Sequence, residues 1–290
     1  MRVLITGCNG QVGHCLTERL KNKAEILALD YEGLDITDQL AVSKTVADFK
    51  PDYIINAAAH TAVDRAEQEV ELSNAINRDG PQYLAQAAEN CGAVMLHIST
   101  DYVFDGEGEK PYIESDQTAP QGVYGQSKLA GEQAVADECR KHLILRTAWV
   151  FGEHGNNFVK TMLRLAQTID ELNIVGDQFG GPTYAGDIAD ALIAMIDYIE
   201  QGQEPVWGVY HFAGMPYASW YEFADRIFQL AEAKGVLAKL PKIVSIPTSE
   251  YPTPAKRPAN SRLDCSKIEN QFGIKPSDWN SALEHIQAYK

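Results

Sequence analysis

Three glycines at three-residue intervals, Gly7, Gly10 and Gly13, follow directly on the apolar run Arg2–Thr6 and open a helical pattern over Gly13–Leu20. This feature constrains the chain more than any other. A strand that turns sharply into a helix needs a residue free of a side chain at the turn, a second where another group approaches the backbone, and a third where helix and strand touch. The first turn of such a helix presents unpaired N–H groups and a partial positive charge, a natural seat for a pyrophosphate. Gln11 and Val12 lie at that turn. A purely structural glycine turn has the same spacing, but here a second apolar run, Glu25–Asp30 (EILALD), ends in a carboxylate. Asp30 is placed to accept hydrogen bonds from ribose hydroxyls, which completes a dinucleotide-binding pattern.

The same alternation continues. Strand-like runs over Tyr53–Ala58, Ala93–Ser99 and Leu143–Val150 are separated by helical stretches over Thr37–Phe49, Gly80–Asn90 and Ser127–Cys139. Strands rich in Val, Ile and Leu without polar alternation are buried on both faces, so the sheet is parallel and covered by helices. The expected architecture is α/β, a Rossmann-type doubly wound parallel sheet, with a smaller C-terminal substrate-binding region. Residues 1–150 read as the dinucleotide-binding domain. Residues 151–290 read as mainly substrate-binding, with elements crossing back: helices over Asn157–Gln167, Asp187–Glu200 and after Ser219, and a proline-punctuated loop from Pro241 to Pro258.

Composition removes whole classes of partner. Acidic residues outnumber basic ones 40 to 25, which argues against nucleic acid and against an anionic membrane surface. The five cysteines are odd in number and never form a C-x-x-C pair, so disulfides and zinc are both poorly supported and a reducing, cytoplasmic setting fits. No apolar run approaches the ~20 residues that span a bilayer.

Reaction chemistry is suggested further along. Tyr124 and Lys128 are four residues apart in VYGQSKLAGE, on one face of a helix. An ammonium there can lower the phenol pKa from ~10, and such a phenol can protonate a carbonyl oxygen as hydride reaches the carbon. Thr100, at the end of the fourth strand, can hydrogen-bond the same oxygen. Asp30 would repel a 2′-phosphate, which favours NADH over NADPH unless a nearby cation offsets it. Asp35 and Ile36 are candidates to flank the adenine, and the small side chains of Ala57, Ala58 and Ala59 would let a cofactor ribose approach the third strand.

CNGQVG, NAAAH, STDYVFDG, VYGQSKLAGE and RPANSRLD together resemble the extended short-chain dehydrogenase/reductases, and within them the dTDP-4-dehydrorhamnose reductase family. The resemblance runs over nearly the whole chain. It implies Thr100, Tyr124 and Lys128 as the catalytic triad, and Asn77 as an asparagine that supports the lysine through water. It implies Asp101 on sugar hydroxyls, Trp149 stacked on the sugar ring and Val63 bordering the same pocket, although a strand end suits a core tryptophan too. Asn157, Arg257 and Arg262 become candidates for the nucleotide diphosphate, since an arginine fork suits phosphate oxygens; surface ion pairs would use the same arginines. Some members dimerise through magnesium held by glutamates. The matching position in the first helix here is Cys15, a poor ligand for a hard cation, so no essential metal is expected.

The implied activity is NAD(P)H-dependent reduction of the C4 ketone of a dTDP-4-keto-6-deoxyhexose, dTDP-4-dehydro-L-rhamnose to dTDP-L-rhamnose, by a monomer or homodimer. Two alternatives stay open. A nucleotide-sugar epimerase or dehydratase uses the same triad, although the acidic pair usual in a dehydratase is missing, since Asp101 is followed by Tyr102. A non-catalytic regulatory subunit resembling the methionine adenosyltransferase β subunit is the other.

Overall fold

The computed structural model describes residues 1–289. Six strands, β1 (Arg2–Thr6), β2 (Glu25–Leu29), β3 (Tyr53–Asn56), β4 (Val94–Thr100), β5 (His142–Thr147) and β6 (Gly208–His211), form one parallel sheet in the order β2-β1-β3-β4-β5-β6. The strand order reverses between β1 and β3, which opens a crevice beyond their carboxyl ends.

Both faces of the sheet are buried, as continuous apolar strands require. Leu4, Ile54, Met95 and Ile144 pack on α2 (Gln39–Phe49), α3 (Gly80–Cys91) and α4 (Val123–Glu138) through Val42, Val46, Leu84, Ala88 and Val135. Val3, Ile5, Leu96 and Leu145 face the other way, towards Leu16 and Leu20 of α1 (Gln11–Leu20). Those residues meet Ile188, Leu192 and Ile196 of α6 (Ala185–Glu200), so a helix from the second half of the chain covers the first. Strand β6 crosses back in the same way.

A separate core joins Phe151 and Val159 to Phe223, Ile227, Trp279 and Leu283. It is built around α5 (Phe158–Leu165) and α7 (Trp220–Ala233), the latter started by a reciprocal capping box between Ser219 and Glu222.

Four differences from the sequence reading exceed a shift of one or two residues or change how the chain runs. Helix α4 begins at Val123, not Ser127, so Tyr124 is inside it. Strand β3 stops at Asn56, whose side-chain oxygen accepts from the Ala58 N–H and turns the chain out of the sheet. Strand β5 stops at Thr147, because Trp149 adopts φ +49° and redirects the chain; Val150–Phe151 then pairs with Thr183–Tyr184. The expected loop over 241–258 contains a strand, Lys242–Ile246, paired in parallel with Glu171–Val175. Pro241 and Pro247 bracket that strand rather than interrupt it.

Candidate active site

The glycine turn sits at the crevice. Gly7 has φ +70°, and a Cβ there would lie 2.6 Å from the Ala58 nitrogen; one on Gly13 would lie 2.1 Å from the Gly7 carbonyl oxygen. Side chains at either position would separate β1, β3 and α1. The turn opens into a cleft of about 530 Å³. Gly10, Gln11 and Val12 line one end, Ala57, Ala58, Ala59 and Val63 one wall, and Thr100, Asp101, Tyr124, Lys128 and Trp149 the far end.

Asp30 lies just past β2, where its carboxylate accepts from the Asn9 side chain and from the Gly33 N–H at 3.0 Å. It therefore ties the glycine turn to the second strand. Asp35 and Ile36 do not border the cleft. Asp35 accepts from the Thr37 N–H at 2.9 Å and hydroxyl at 2.7 Å, closing a turn, while Ile36 is buried in the core beneath Gly80.

Thr100, Tyr124 and Lys128 converge on the cleft, and all three are buried. The Lys128 ammonium is 2% exposed and donates to the Ile98 carbonyl at 2.6 Å. Burial pushes its pKa down to about 8, against the pull of the Glu132 carboxylate one turn along. Tyr124 departs from expectation. Burial pushes its phenol up to about 12; the Thr100 hydroxyl draws it down and Asp101 pushes it further up, while Lys128, engaged with Ile98, supplies no such lowering. A phenol of that kind is fully protonated at neutral pH, the state an acid must be in.

The surroundings hold these groups rigidly. Glu67 accepts from the Val123 N–H at 2.9 Å and caps α4 from outside, where a negative charge complements the helix dipole. Asn77, in a single π turn over Ala75–Asp79, accepts from the His60 N–H at 2.8 Å and donates to Ser127 at 3.0 Å. It thus pins the helix beside Lys128 and makes no direct contact with the ammonium. Deeper still, Arg146 grips Glu132 through two hydrogen bonds of 2.8 and 2.6 Å, and Ser99 donates to the same carboxylate. Breaking a buried pair of this kind from one side costs ~3–5 kcal/mol.

A second cleft of about 380 Å³ adjoins the first, with Tyr102 and Trp149 bordering both. The Trp149 ring stacks on Trp220 with centroids 3.5 Å apart, so one face is already covered. Arg257 borders this cleft and donates to Asp64 at 2.6 Å. Two candidates fall away from it. Asn157 caps α5 and donates to Gln11 at 3.0 Å and Gly152 at 2.7 Å; Gly155 and Asn156 reach the first cleft instead. Arg262 donates to Asn260 at 2.7 Å and to the Glu109 carbonyl at 2.7 Å, bracing its own segment against the loop at Glu109. Neither helix capping nor loop bracing leaves a signature distinct from phosphate binding in a single sequence.

Cys15 is buried in the core under α6, so its thiol does not face outward as a ligand for a metal between subunits would. Among the described residues no three His, Cys, Asp or Glu side chains are grouped as a metal site, and no helix is long and apolar enough to cross a membrane.

A parallel sheet with this switch point and a buried tyrosine–lysine pair facing a glycine turn is the arrangement of the dinucleotide-dependent short-chain dehydrogenase/reductases. The family model described as the RmlD substrate binding domain matches residues 1–289. A dTDP-4-dehydrorhamnose reductase from Aggregatibacter actinomycetemcomitans is 52% identical over 290 residues, covering 99% of each chain. The crystal structure of a dTDP-4-dehydrorhamnose reductase from Clostridium acetobutylicum superposes with a TM-score of 0.91 at 43% identity, covering 99% of this chain and 98% of that one. The Bacillus anthracis enzyme of that name, solved in complex with NADP, gives a TM-score of 0.91 at 37% identity over 100% of this chain and 99% of its own. The chain belongs to the dTDP-4-dehydrorhamnose reductase family.

Proposed function

We propose that this protein reduces the C4 ketone of dTDP-4-dehydro-L-rhamnose to give dTDP-L-rhamnose, with NADH or NADPH as reductant. The observation that carries the reading is the convergence of Thr100, Tyr124 and Lys128 on one cleft with the glycine turn. The cleft fits a dinucleotide: Gly7 leaves a cradle that a Cβ would fill, and the Lys128 ammonium borders the cleft with a single carbonyl partner. When bound, the nicotinamide supplies hydride to the sugar carbonyl carbon.

The chain's own residues do the rest. The N–H groups around Gly10, Gln11 and Val12 receive the pyrophosphate, and Asp30 the adenosine ribose. Lys128 holds the nicotinamide ribose hydroxyls. Thr100 orients the sugar carbonyl, and the Tyr124 phenol gives its proton to the oxygen as negative charge builds there. Arg257, beside the second cleft, holds the diphosphate. Residues 1–150 then serve mainly the cofactor and 151–290 mainly the nucleotide sugar, working as a monomer or homodimer. A cytoplasmic setting is supported by five free cysteines.

The test supplies a panel of 4-keto nucleotide sugars with each reduced cofactor, follows nicotinamide oxidation and identifies the product. Oxidation with the dTDP-4-keto-6-deoxyhexose and formation of dTDP-L-rhamnose supports the reading. No oxidation with any member of the panel overturns it.

A further inference from the structure

Seven buried side-chain polar atoms lack a hydrogen-bond partner among the described residues, and four of them belong to residues bordering the two clefts: Asp101 Oδ2, Thr147 Oγ1, Arg257 Nη1 and Ser261 Oγ. A fold leaves a buried polar group unpaired at a cost, so such a concentration marks where something else completes the bonding. Asp101 and Ser261 are 4% and 1% exposed. They are far apart in the chain. Asp101 follows β4, and Ser261 sits in the short strand Asn260–Ser261, opposite Gly180.

Ser261 is held firmly. Its neighbour Asn260 donates to the Lys110 carbonyl at 2.8 Å, and Arg262 donates back to Asn260 at 2.7 Å. Gly180 lies so close under the Trp149 indole that a Cβ there would come within 2.6 Å of the ring. Ser261 therefore belongs to the floor beside Trp149. Its hydroxyl is near enough to the Asp101 carboxyl to help hold that group ionised against burial, yet the two make no hydrogen bond. A third hydroxyl set between them would satisfy both.

We infer that Ser261, paired with Asp101, is a specificity residue that recognises the sugar hydroxyl on C3, next to the reacting carbonyl. The inference rests on the proposed reduction. Thr100, beside the reacting carbonyl, donates to Asp101 Oδ1 at 3.0 Å, so Oδ2 is the acceptor of that carboxylate left open for a neighbouring ring position. Of the two carbons that flank C4 in a 4-keto-6-deoxyhexose, C5 carries a methyl group and C3 a hydroxyl. Asp101 accepts from that hydroxyl and Ser261 donates to it. A substrate lacking it leaves two buried groups unpaired, the arrangement that rejects analogues most strongly.

The test compares the dTDP-4-keto-6-deoxyhexose with its 3-deoxy counterpart, using the full-length wild type, Ser261→Ala and Ser261→Cys. Wild-type kcat/KM is expected to favour the parent by about tenfold or more, the worth of a buried hydrogen bond to a charged group. Ser261→Ala should lower kcat/KM for the parent about tenfold and leave the 3-deoxy value unchanged, with Ser261→Cys between. Cofactor affinity should not move. Equal loss on both substrates, or a wild type that does not discriminate, overturns the inference. A wild type that reduces neither substrate refutes instead the reduction on which it rests.

Discussion

Arg257 donates to Asp64 at 2.6 Å, joining residues 193 positions apart across the mouth of the second cleft. Asp64 also accepts from the Ala255 N–H at 3.1 Å, so one carboxylate fixes both the guanidinium and the backbone that carries it. An ion pair this exposed adds little to stability, ~0–1 kcal/mol. Its consequence is orientation: Nη2 is held and Nη1 stays unpaired. Arg257→Ala should raise KM for the nucleotide sugar about 10- to 100-fold, and Asp64→Asn should shift it less in the same direction. In both, kcat and the melting temperature should change little. Steady-state kinetics with a thermal melt checks this, and a KM at the wild-type value in Arg257→Ala would remove it from diphosphate binding.

Two perturbed groups set opposite limbs of a pH profile. With its pKa pushed down to about 8, Lys128 is charged below that pH and loses its proton above it. Burial pushes Asp101 up to about 6, so its carboxylate is ionised above that pH and protonated below. If Lys128 must be charged and Asp101 must accept, kcat/KM should fall above about pH 8 and below about pH 6, since that ratio reports the free enzyme. Cofactor dissociation constants should weaken only on the alkaline side. An Asp101→Asn variant that keeps the acid limb would show that another group causes it.

The parts of the fold and site carried by local chemistry could be read directly. The Gly7–Gly13 spacing, the apolar strands and the Tyr124–Lys128 interval each follow from a single element's geometry. What could not be read depends on contacts between elements. Trp149 at φ +49° ends β5 early through packing on Trp220 and Gly180, none of which the run LILRTAWV reveals. Asn157 and Arg262 have the right chemistry for phosphate, but the fold uses the one to cap a helix and the other to brace a loop. Ser261 stood in plain view within RPANSRLD. Its burial and its unpaired hydroxyl appear only in the folded chain. Asp64, Glu67 and Tyr102 likewise join the site only through contacts between elements distant in sequence.

Asp30 should govern cofactor choice. Its carboxylate is held by Asn9 and Gly33 at the end of β2, where an adenosine ribose 2′-phosphate would meet like charge. Asp30→Ser should raise the NADPH-to-NADH ratio of kcat/KM by about tenfold, the effect of removing one repulsion of ~1.4 kcal/mol. The ratio measured with saturating sugar decides it. A wild type that already prefers NADPH strongly, with no change in the variant, would put Asp30 away from the 2′ position.

Metal should be dispensable. Cys15 stands in the first helix with its thiol turned into the core. Exhaustive chelation should leave turnover and molecular mass in solution unchanged. A loss of either that magnesium restores would mean that ligands elsewhere hold a cation.

The most demanding prediction concerns Tyr124→Phe. Tyr124 is buried on α4 with its ring edge-on to Tyr102 at 5.4 Å, and the substitution keeps that ring. Packing should therefore survive, and the melting temperature should stay close to wild type. The proton donor is lost. General-acid catalysis is typically worth ~10²–10⁴-fold, and kcat should fall within that range. The bond from Tyr124 strengthens only as charge develops on the carbonyl oxygen, so KM should change far less than kcat. Cofactor affinity should persist because the glycine turn and Lys128 remain, whereas Lys128→Ala should weaken cofactor binding as well as turnover. Burial holds the phenol up near 12, so in the wild type no alkaline loss below pH 10 should trace to Tyr124 itself. Rapid-mixing measurement of nicotinamide oxidation separates the chemical step from product release. A Tyr124→Phe enzyme within a few-fold of wild type in that step would exclude the phenol as the acid.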